Sequence, residues 1–301
     1  MKSMKLCVDV PSDYLLNSDL NIKQIECNTI SSSFAGLAPV VSKLHKYVLS
    51  QLGQANKIKN IPENNSTVGF ASGLTEAWKI YNNKESVILF VVEEITYNIC
   101  DQRVIEHAIH DINPEIKVIR RTFNELIKQA QLRPNKELFV ENHLVSVVYY
   151  RTGYESSAYT SEEVWKVRLL MERSRAIKSI SNPEKFVMKP QREGGGNNIY
   201  GLNVRTSLES MKNSKIRTGY ILMEYIDAPR EKNYLLGPNE EKNCLQELIS
   251  ELGIYGIIIG DQNNIKINKK VGHVLRTKPF GEDEGGIIAG AGGLDSPYLV
   301  E

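Results

Sequence analysis

The sequence predicts an α/β chain with a parallel sheet covered by helices on both faces. Three observations carry that prediction. Residues 84–178 alternate short apolar runs with amphipathic stretches, the rhythm of βαβ units. The run Val87–Val92 is continuously apolar, as a strand buried on both faces is. A chain of 301 residues can also bury a sizeable core and form two domains or more.

The elements divide into three regions, 1–83, 84–180 and 181–301. In the first, Ile22–Glu26 mixes apolar and polar positions as a half-buried strand does. Helices follow over about Gly36–Leu52 and Gly69–Tyr81, separated by the polar loop Asn60–Thr67 with Pro62 inside it. The second region reads as strands Val87–Val92, Ile116–Ile119 and Leu144–Tyr150, with helices Asp101–Ile112 and Phe123–Gln131 between them. Thr160-Ser161-Glu162-Glu163 reads as a capping box, Thr160 the N-cap and Glu163 at N3, opening a helix to about Lys178. The third region holds strands at Phe186–Lys189, Tyr220–Tyr225, Tyr255–Ile259 and Lys266–Lys270. Its glycine-rich stretch Gly281–Gly293 has too few side chains to form a core of its own. That stretch is either a disordered tail or a loop ordered by a ligand, and Ile287 and Ile288, following Arg276 and Lys278, favour the loop.

Composition narrows the function. Lys and Arg number 37 against 36 Asp and Glu, so nothing supports a general affinity for nucleic acid, which needs a basic face. The four cysteines, Cys7, Cys27, Cys100 and Cys244, have neither metal nor disulfide-framework spacing, which fits free thiols in a reducing compartment. Asp9 and Asp13 interrupt any leader-like apolar stretch, and no run reaches the ~20 apolar residues that span a bilayer. The expectation is a soluble, cytoplasmic protein.

The segment Lys189-Pro190-Gln191-Arg192-Glu193-Gly194-Gly195-Gly196-Asn197-Asn198 carries the most chemistry. Three consecutive glycines let the backbone take positive φ and come close to a ligand. Successive bare amides then point at phosphate oxygens. Lys189 and Arg192 add positive charge, and Glu193 can hold a cation beside the anion. The pattern is neither a Walker loop nor a dinucleotide fingerprint; the alternative is a flexible surface loop. A second signal is Glu26-x-Asn28, on or just after a strand. Residues two apart share a face, so both oxygens can reach one ion. Mg²⁺ takes a few oxygen ligands and substrate phosphates, with Glu193 as the third protein ligand. Without that partner the pair reads as solvated surface.

These stretches, with Lys23–Ser31, Asp101-Gln102-Arg103, Leu169–Ser174, Ile221–Glu224, Ser250–Ile254 and Gly272–Lys278 in the same order, resemble eukaryotic-type glutathione synthetase, an ATP-grasp ligase. The resemblance covers essentially the whole chain. It implies an ATP-grasp body from 1–83 and 181–301, with an inserted doubly wound substrate domain at 84–180. It also implies ATP-dependent joining of gamma-glutamylcysteine to glycine through an acyl phosphate, Mg²⁺ on Glu26, Asn28 and Glu193, and a homodimer.

Further site residues come from the resemblance. Lys189–Asn198 would cover the phosphates, with Tyr200 against the nucleotide. Met223-Glu224-Tyr225-Ile226 matches the adenine segment (otherwise a core strand), and Glu251 the ribose contact (otherwise a helix-end acid). Lys278 and Glu284 complete the nucleotide set. Arg151-Thr152-Gly153-Tyr154 matches the family's Arg-x-Gly-Tyr element, in which Arg151 binds a substrate carboxylate bidentately or else forms a structural ion pair. Ile30-Ser31-Ser32-Ser33, Asn98 and Gln102 fall where the family contacts substrate; the serines otherwise read as a helix N-cap cluster. Arg276 would bind the glycine carboxylate under a lid at Gly285–Ile288, with Ile287 and Ile288 on the substrate. Arg151 and Arg276 are the residues expected at the reacting centre. His273 reads as structural.

Departures from the family pattern are equally specific. A large N-terminal portion has no counterpart, and the join at 178–186 is short, without the family's nucleotide-binding lysine. Pro11 stands where a dipeptide-binding arginine precedes Ser-Asp-Tyr. Thr96 and Tyr97 replace an acid and an arginine, and Tyr225 a lysine. Two other functions fit the chain: a shortened relative that binds nucleotide or a full-length subunit without turnover, and a homoglutathione-type ligase taking beta-alanine.

Overall fold

The computed structural model describes residues 5–8, 12–28, 30–174, 177–178, 189–190, 198–200, 202–211, 214–221, 223, 226–236, 244–260, 264–282, 287, 290 and 292–300. Its elements run β1 Lys5–Val8, β2 Ser12–Leu16, β3 Ile22–Cys27, α1 Ala38–Gln51, α2 Ser66–Tyr81, β4 Val87–Val91, α3 Ile99–Ile112, β5 Val118–Arg121, α4 Phe123–Gln129, β6 Ala130–Leu132, β7 Leu138–Val140 and β8 His143–Tyr150. They continue as α5 Glu162–Arg173, β9 Ile177–Lys178, β10 Lys189–Pro190, α6 Leu202–Ser210, β11 Tyr220–Ile221, β12 Glu231–Tyr234, β13 Leu245–Gly260, β14 Ile265–Pro279 and β15 Gly293–Asp295. The architecture is mixed α/β with several sheets.

One sheet is antiparallel throughout, in the order β15-β14-β13-β2-β3. Strand β13 organises it. One edge pairs with β14 along nearly its whole length, and the other is shared end to end by β12 at Leu245–Leu248, β2 at Leu252–Ile254 and β1 at Ile257–Gly260. The first and last stretches of the chain therefore build one sheet. The short strands expected at Tyr255–Ile259 and Lys266–Lys270 are the inner halves of this long hairpin. Leu245-Gln246-Glu247-Leu248-Ile249-Ser250-Glu251-Leu252 is as compatible with helix as with strand by propensity; pairing on both edges overrides that balance.

The second sheet has the order β5-β4-β8-β7-β6, with β9 beside the outer half of β8. Strands β5, β4, β8 and β9 are parallel, but β7 and β6 are antiparallel, so the expected parallel sheet carries a reversed edge. Strand β4 is buried on both faces, as its continuous apolar run requires. Ile88 and Phe90 face α2 and α3, whereas Val87, Leu89 and Val91 face α4 and α5.

Helix α2 joins the two sheets. Phe70, Leu74 and Trp78 lie in one core cluster with Ile88, Phe90 and Tyr149 of the second sheet and with Tyr255, Ile257 and Val274 of the first. Glycines permit the approach. A Cβ on Gly272 would lie 2.4 Å from Ser66 Cβ, and one on Gly73 would lie 2.5 Å from Ile257 Cδ1. Helix α5 begins one residue later than its sequence suggested. Ser161, not Thr160, is the N-cap, accepting the Val164 N–H at 3.4 Å, because Ser161 itself is extended. The helix stops at Arg173, where Ser174 Oγ donates to the Met171 carbonyl. A full capping box forms instead at Thr122 and Glu125 of α4. Among the described residues, no helix is long and apolar enough to cross a membrane.

Candidate functional site

The polar site sits where β2, β3, β13 and β14 meet. Asp13 of β2 lies opposite Glu26 of β3 on one side and Gly253 of β13 on the other. Glu251 of β13 lies opposite Arg276 of β14. Glu251 and Gly253 share a face of β13 with Tyr255 and Ile257, so the face that packs on α2 becomes polar at this end. Gly253 has to be glycine, because a Cβ there would lie 2.6 Å from Asp13 Oδ1.

The contacts form a chain of charges. Lys189 Nζ donates to Glu26 Oε2 at 2.8 Å. Asn28 Nδ2 donates to Glu26 Oε1 at 2.9 Å and to Asp13 Oδ2 at 2.8 Å. Arg276 reaches the same Asp13 oxygen at 2.7 Å and pairs with Glu251. Burial pushes the Asp13 carboxyl up to about 7 against the pull of Arg276. Burial also acts to raise Glu26, but Lys189 and Asn28 outweigh it and hold its carboxyl below the usual range. For Arg276, Glu251 and Asp13 outweigh desolvation and raise its pKa.

The donor chemistry here suits a hard cation. Among the described residues the Asn28 carbonyl oxygen accepts no hydrogen bond, and Asp13 Oδ1 is buried without a partner. Carboxylate and amide oxygens are the ligands Mg²⁺ prefers. No group of three or more His, Cys, Asp or Glu side chains arranged for a metal occurs among the described residues. Glu193 lies outside the described residues.

Of the residues anticipated for a nucleotide, Lys189 meets this place through Glu26 and Glu251 through Arg276. Strand β10, the start of the glycine-rich segment, pairs with β11, Lys189 opposite Ile221 and Pro190 opposite Tyr220. Met223 and Ile226 follow β11 closely and are half-buried. Lys278 lies two residues from Arg276 on β14, hence on its face. Asn198 Nδ2 donates to the Tyr200 hydroxyl at 3.1 Å. Gln191, Arg192, Gly194, Gly195, Gly196, Asn197, Glu224, Tyr225, Glu284 and Ile288 lie outside the described residues. Ile287 is half-buried; beyond it β15 pairs with β14, Leu294 opposite Arg276, so the glycine-rich stretch rejoins the sheet rather than trailing as a tail. Glu251, readable as a helix-end acid, is in mid-strand.

A second group surrounds residues 30–37. Ser31 and Phe34 hold positive φ, an unfavourable conformation for residues with side chains. Asp101 holds the segment from one side, its carboxylate accepting the N–H groups of Phe34 and Gly36 at 2.8 Å and of Leu37 at 3.2 Å. Arg151 holds it from the other, donating to the Ser31 carbonyl at 2.8 Å, to the Ser32 carbonyl and to Ser33 Oγ at 2.9 Å. The Arg151 side chain is 4% exposed and lies 3.7 Å from Asp101. Arg151 thus makes the structural ion pair, and its Nη1 and Nη2 groups hold the serine loop from beneath. Ile30 packs against the core cluster of β4 and β8. Gln102 accepts from Arg120 at 2.6 Å, and Asn98 donates to Asp101 at 3.4 Å. Thr152 and Tyr154 line a cavity of about 230 Å³ with Glu93, Glu155 and Ser157, and Gly153 between them holds φ +85°.

Sequence reasoning missed Asp13 as a site residue. Its only local signal was Ser12-Asp13-Tyr14, and its role depends on strands more than two hundred residues apart. His273 is buried, with backbone bonds to Asn64 and its pKa lowered by burial, in line with a structural residue.

A family model described as eukaryotic glutathione synthase, ATP binding domain, matches residues 2–299. The glutathione synthetase of Rattus norvegicus is 36% identical over 353 residues, covering 96% of this chain and 74% of that protein. The Homo sapiens glutathione synthetase is 35% identical with the same coverage, and the chloroplastic glutathione synthetase of Solanum lycopersicum is 36% identical, covering 96% and 63%. The alignment to the rat protein exceeds the 301 residues of this chain, so the relative carries internal residues with no counterpart here. Among solved structures, a glutathione synthetase-like effector of Globodera pallida, in its apo form, superposes with a TM-score of 0.74 at 22% identity, covering 99% of this chain and 77% of that one, a likeness of fold.

Proposed function

We infer, for a chain that belongs to the eukaryotic glutathione synthase family, that it is an ATP-dependent ligase joining gamma-glutamylcysteine to glycine. The observation that carries this reading is the Lys189–Glu26 contact at 2.8 Å. It joins the start of the glycine-rich segment to the early carboxylate–amide pair across more than 160 residues of sequence. In this reading residues 1–83 and 181–301 form the ATP-grasp body, and 84–180 the inserted substrate domain.

Phosphoryl transfer to a carboxylate is mainly positioning and charge neutralisation. Glu26 and Asn28, with Glu193, would hold Mg²⁺, which when bound neutralises charge on the triphosphate. Lys189, with Arg192 and the triglycine amides, binds the phosphates; Met223–Ile226 and Glu251 take the base and ribose, with Tyr200, Lys278 and Glu284 completing the nucleotide site. The dipeptide lies over Ser31–Ser33. Because the Ser31 and Ser32 carbonyls are bound by Arg151 from beneath, planar trans peptides turn the Ser32 and Ser33 N–H groups the opposite way, toward a ligand. Thr152, Gly153, Tyr154, Asn98 and Gln102 border it. The dipeptide's carboxylate takes the γ-phosphoryl group, giving an acyl phosphate and ADP. The glycine amine then attacks the acyl carbon and expels phosphate, while Arg276 holds the glycine carboxylate and Ile287 and Ile288 help exclude water.

Purified protein with ATP, Mg²⁺, gamma-glutamylcysteine and glycine is expected to release ADP and glutathione, and Glu26→Gln to lower the rate at least about tenfold, the loss of one charge-assisted contact. Beta-alanine in place of glycine tests the homoglutathione-type alternative. No ADP release with nucleotide binding retained would support the shortened, non-catalytic relative, which the relatives' extra internal residues favour.

A further inference from the structure

We propose that Asp13 is the positioning residue of this site, holding the Arg276 guanidinium and turning the Asn28 amide so that its carbonyl oxygen is left to face a cation. This rests on the reading of Glu26 and Asn28 as cation ligands and assigns a role to a residue outside that set.

The argument begins with the amide. A carboxamide has one accepting end and one donating end. Asn28 could present either to a cation, and only the oxygen binds one. In the fold, Asn28 Nδ2 lies 2.8 Å from Asp13 Oδ2 and 2.9 Å from Glu26 Oε1. Asp13 Oδ2 also takes the Arg276 guanidinium at 2.7 Å, so this oxygen accepts whichever way the carboxyl titrates, and the Glu26 carboxylate only accepts; both therefore demand the NH₂ group there. Glu26 is itself a cation ligand in this reading and has to give up its hold when the ion arrives. Asp13 keeps its hold, because it is 1% exposed and fixed at a strand crossing between Glu26 and Gly253.

The same oxygen fixes Arg276. Arg276 Nη2 reaches Asp13 Oδ2 at 2.7 Å, and the same nitrogen pairs with Glu251, so two carboxylates hold one end of the guanidinium. Asp13 therefore ties the cation end of the site to the end that holds the acceptor's carboxylate. Gly253 is part of the device, since a Cβ would occupy the space of Asp13 Oδ1.

Asp13→Asn keeps the shape, removes the negative charge that holds Arg276, and leaves an amide that can turn either end to Asn28. Three measurements on the full chain test it against wild type. The affinity for Mn²⁺ in the presence of ADP, read by paramagnetic resonance of the free ion, should fall by roughly tenfold to a hundredfold. The KM for glycine should rise more than kcat falls, a split that loss of stability alone does not produce. Exchange of the Asn28 side-chain amide protons with water, followed by NMR, should accelerate at least about tenfold. Should Asp13→Asn fail to fold, Asp13→Ser, too short to reach Asn28, is read in the same way. Unchanged Mn²⁺ affinity and unchanged amide exchange would overturn the proposal. A wild type that binds no Mn²⁺–ADP would instead defeat the ligase reading; faster amide exchange in Asp13→Asn would then still support the hold on Asn28.

Discussion

Asp101 shows how one side chain can carry a segment. Its carboxylate accepts three backbone N–H groups from residues 34–37 and faces Arg151, in a place where water reaches neither. Asp101→Asn substitutes a donor for one of those acceptors. The expected cost is about 2–4 kcal/mol, the range for a buried charged network that loses one member, read as a lowered midpoint in urea. His273 belongs to the same scale. Burial, then Lys270, lowers its pKa, so the folded state prefers the neutral ring. A histidine depressed in the folded state contributes stability above its unfolded pKa and loses it as pH falls through the folded one. Between pH 7 and pH 5 the thermal midpoint of His273→Gln should therefore fall less than that of wild type; parallel curves would exclude this source of acid sensitivity.

Between elements, the crossing of α2 over β14 decides the packing. Gly272 abuts Ser66 at the first turn of the helix, where the neighbours of an added Cβ include the Ser66 backbone nitrogen at 2.6 Å. Backbone cannot swing aside as a long side chain can. Gly272→Ala is expected to destabilise by about 1–3 kcal/mol, the range for overpacking, whereas Gly219→Ala, with open space around it, should unfold with wild type. At this scale the sequence was most readable where pattern and propensity agree. Helix α2 and strand β4 stand out because a helical apolar stripe and a continuous apolar run each have one good solution. Strand β13 was legible only at Tyr255–Ile259, where β-branched residues dominate. Its outer half becomes strand through pairing with β12 and β14, contacts that no local window contains.

For the whole molecule, the consequence is cooperativity. One hydrophobic cluster takes residues from both sheets through α2, so neither sheet retains a complete core without the other. Unfolding in urea should be a single transition, with the fluorescence of Trp78 (buried in that cluster, and read in a Trp165→Phe background because Trp165 is exposed) coincident with far-ultraviolet dichroism. Two separated transitions would show that the sheets unfold as independent units.

The sequence by itself determined which groups are available: a glycine-rich cationic segment, a carboxylate and an amide two residues apart, and a βαβ succession in the middle of the chain. Composition and local periodicity encode these, since they depend on neighbours within a few positions. Only the tertiary structure decided which groups meet. Antiparallel pairing brings Asp13 between Glu26 and Gly253, carries Arg276 to it across β13, and sets Arg151 under the serine loop instead of on an open surface. Strand register is set by the core the strands enclose, so a residue's partner across a sheet is a property of the folded whole.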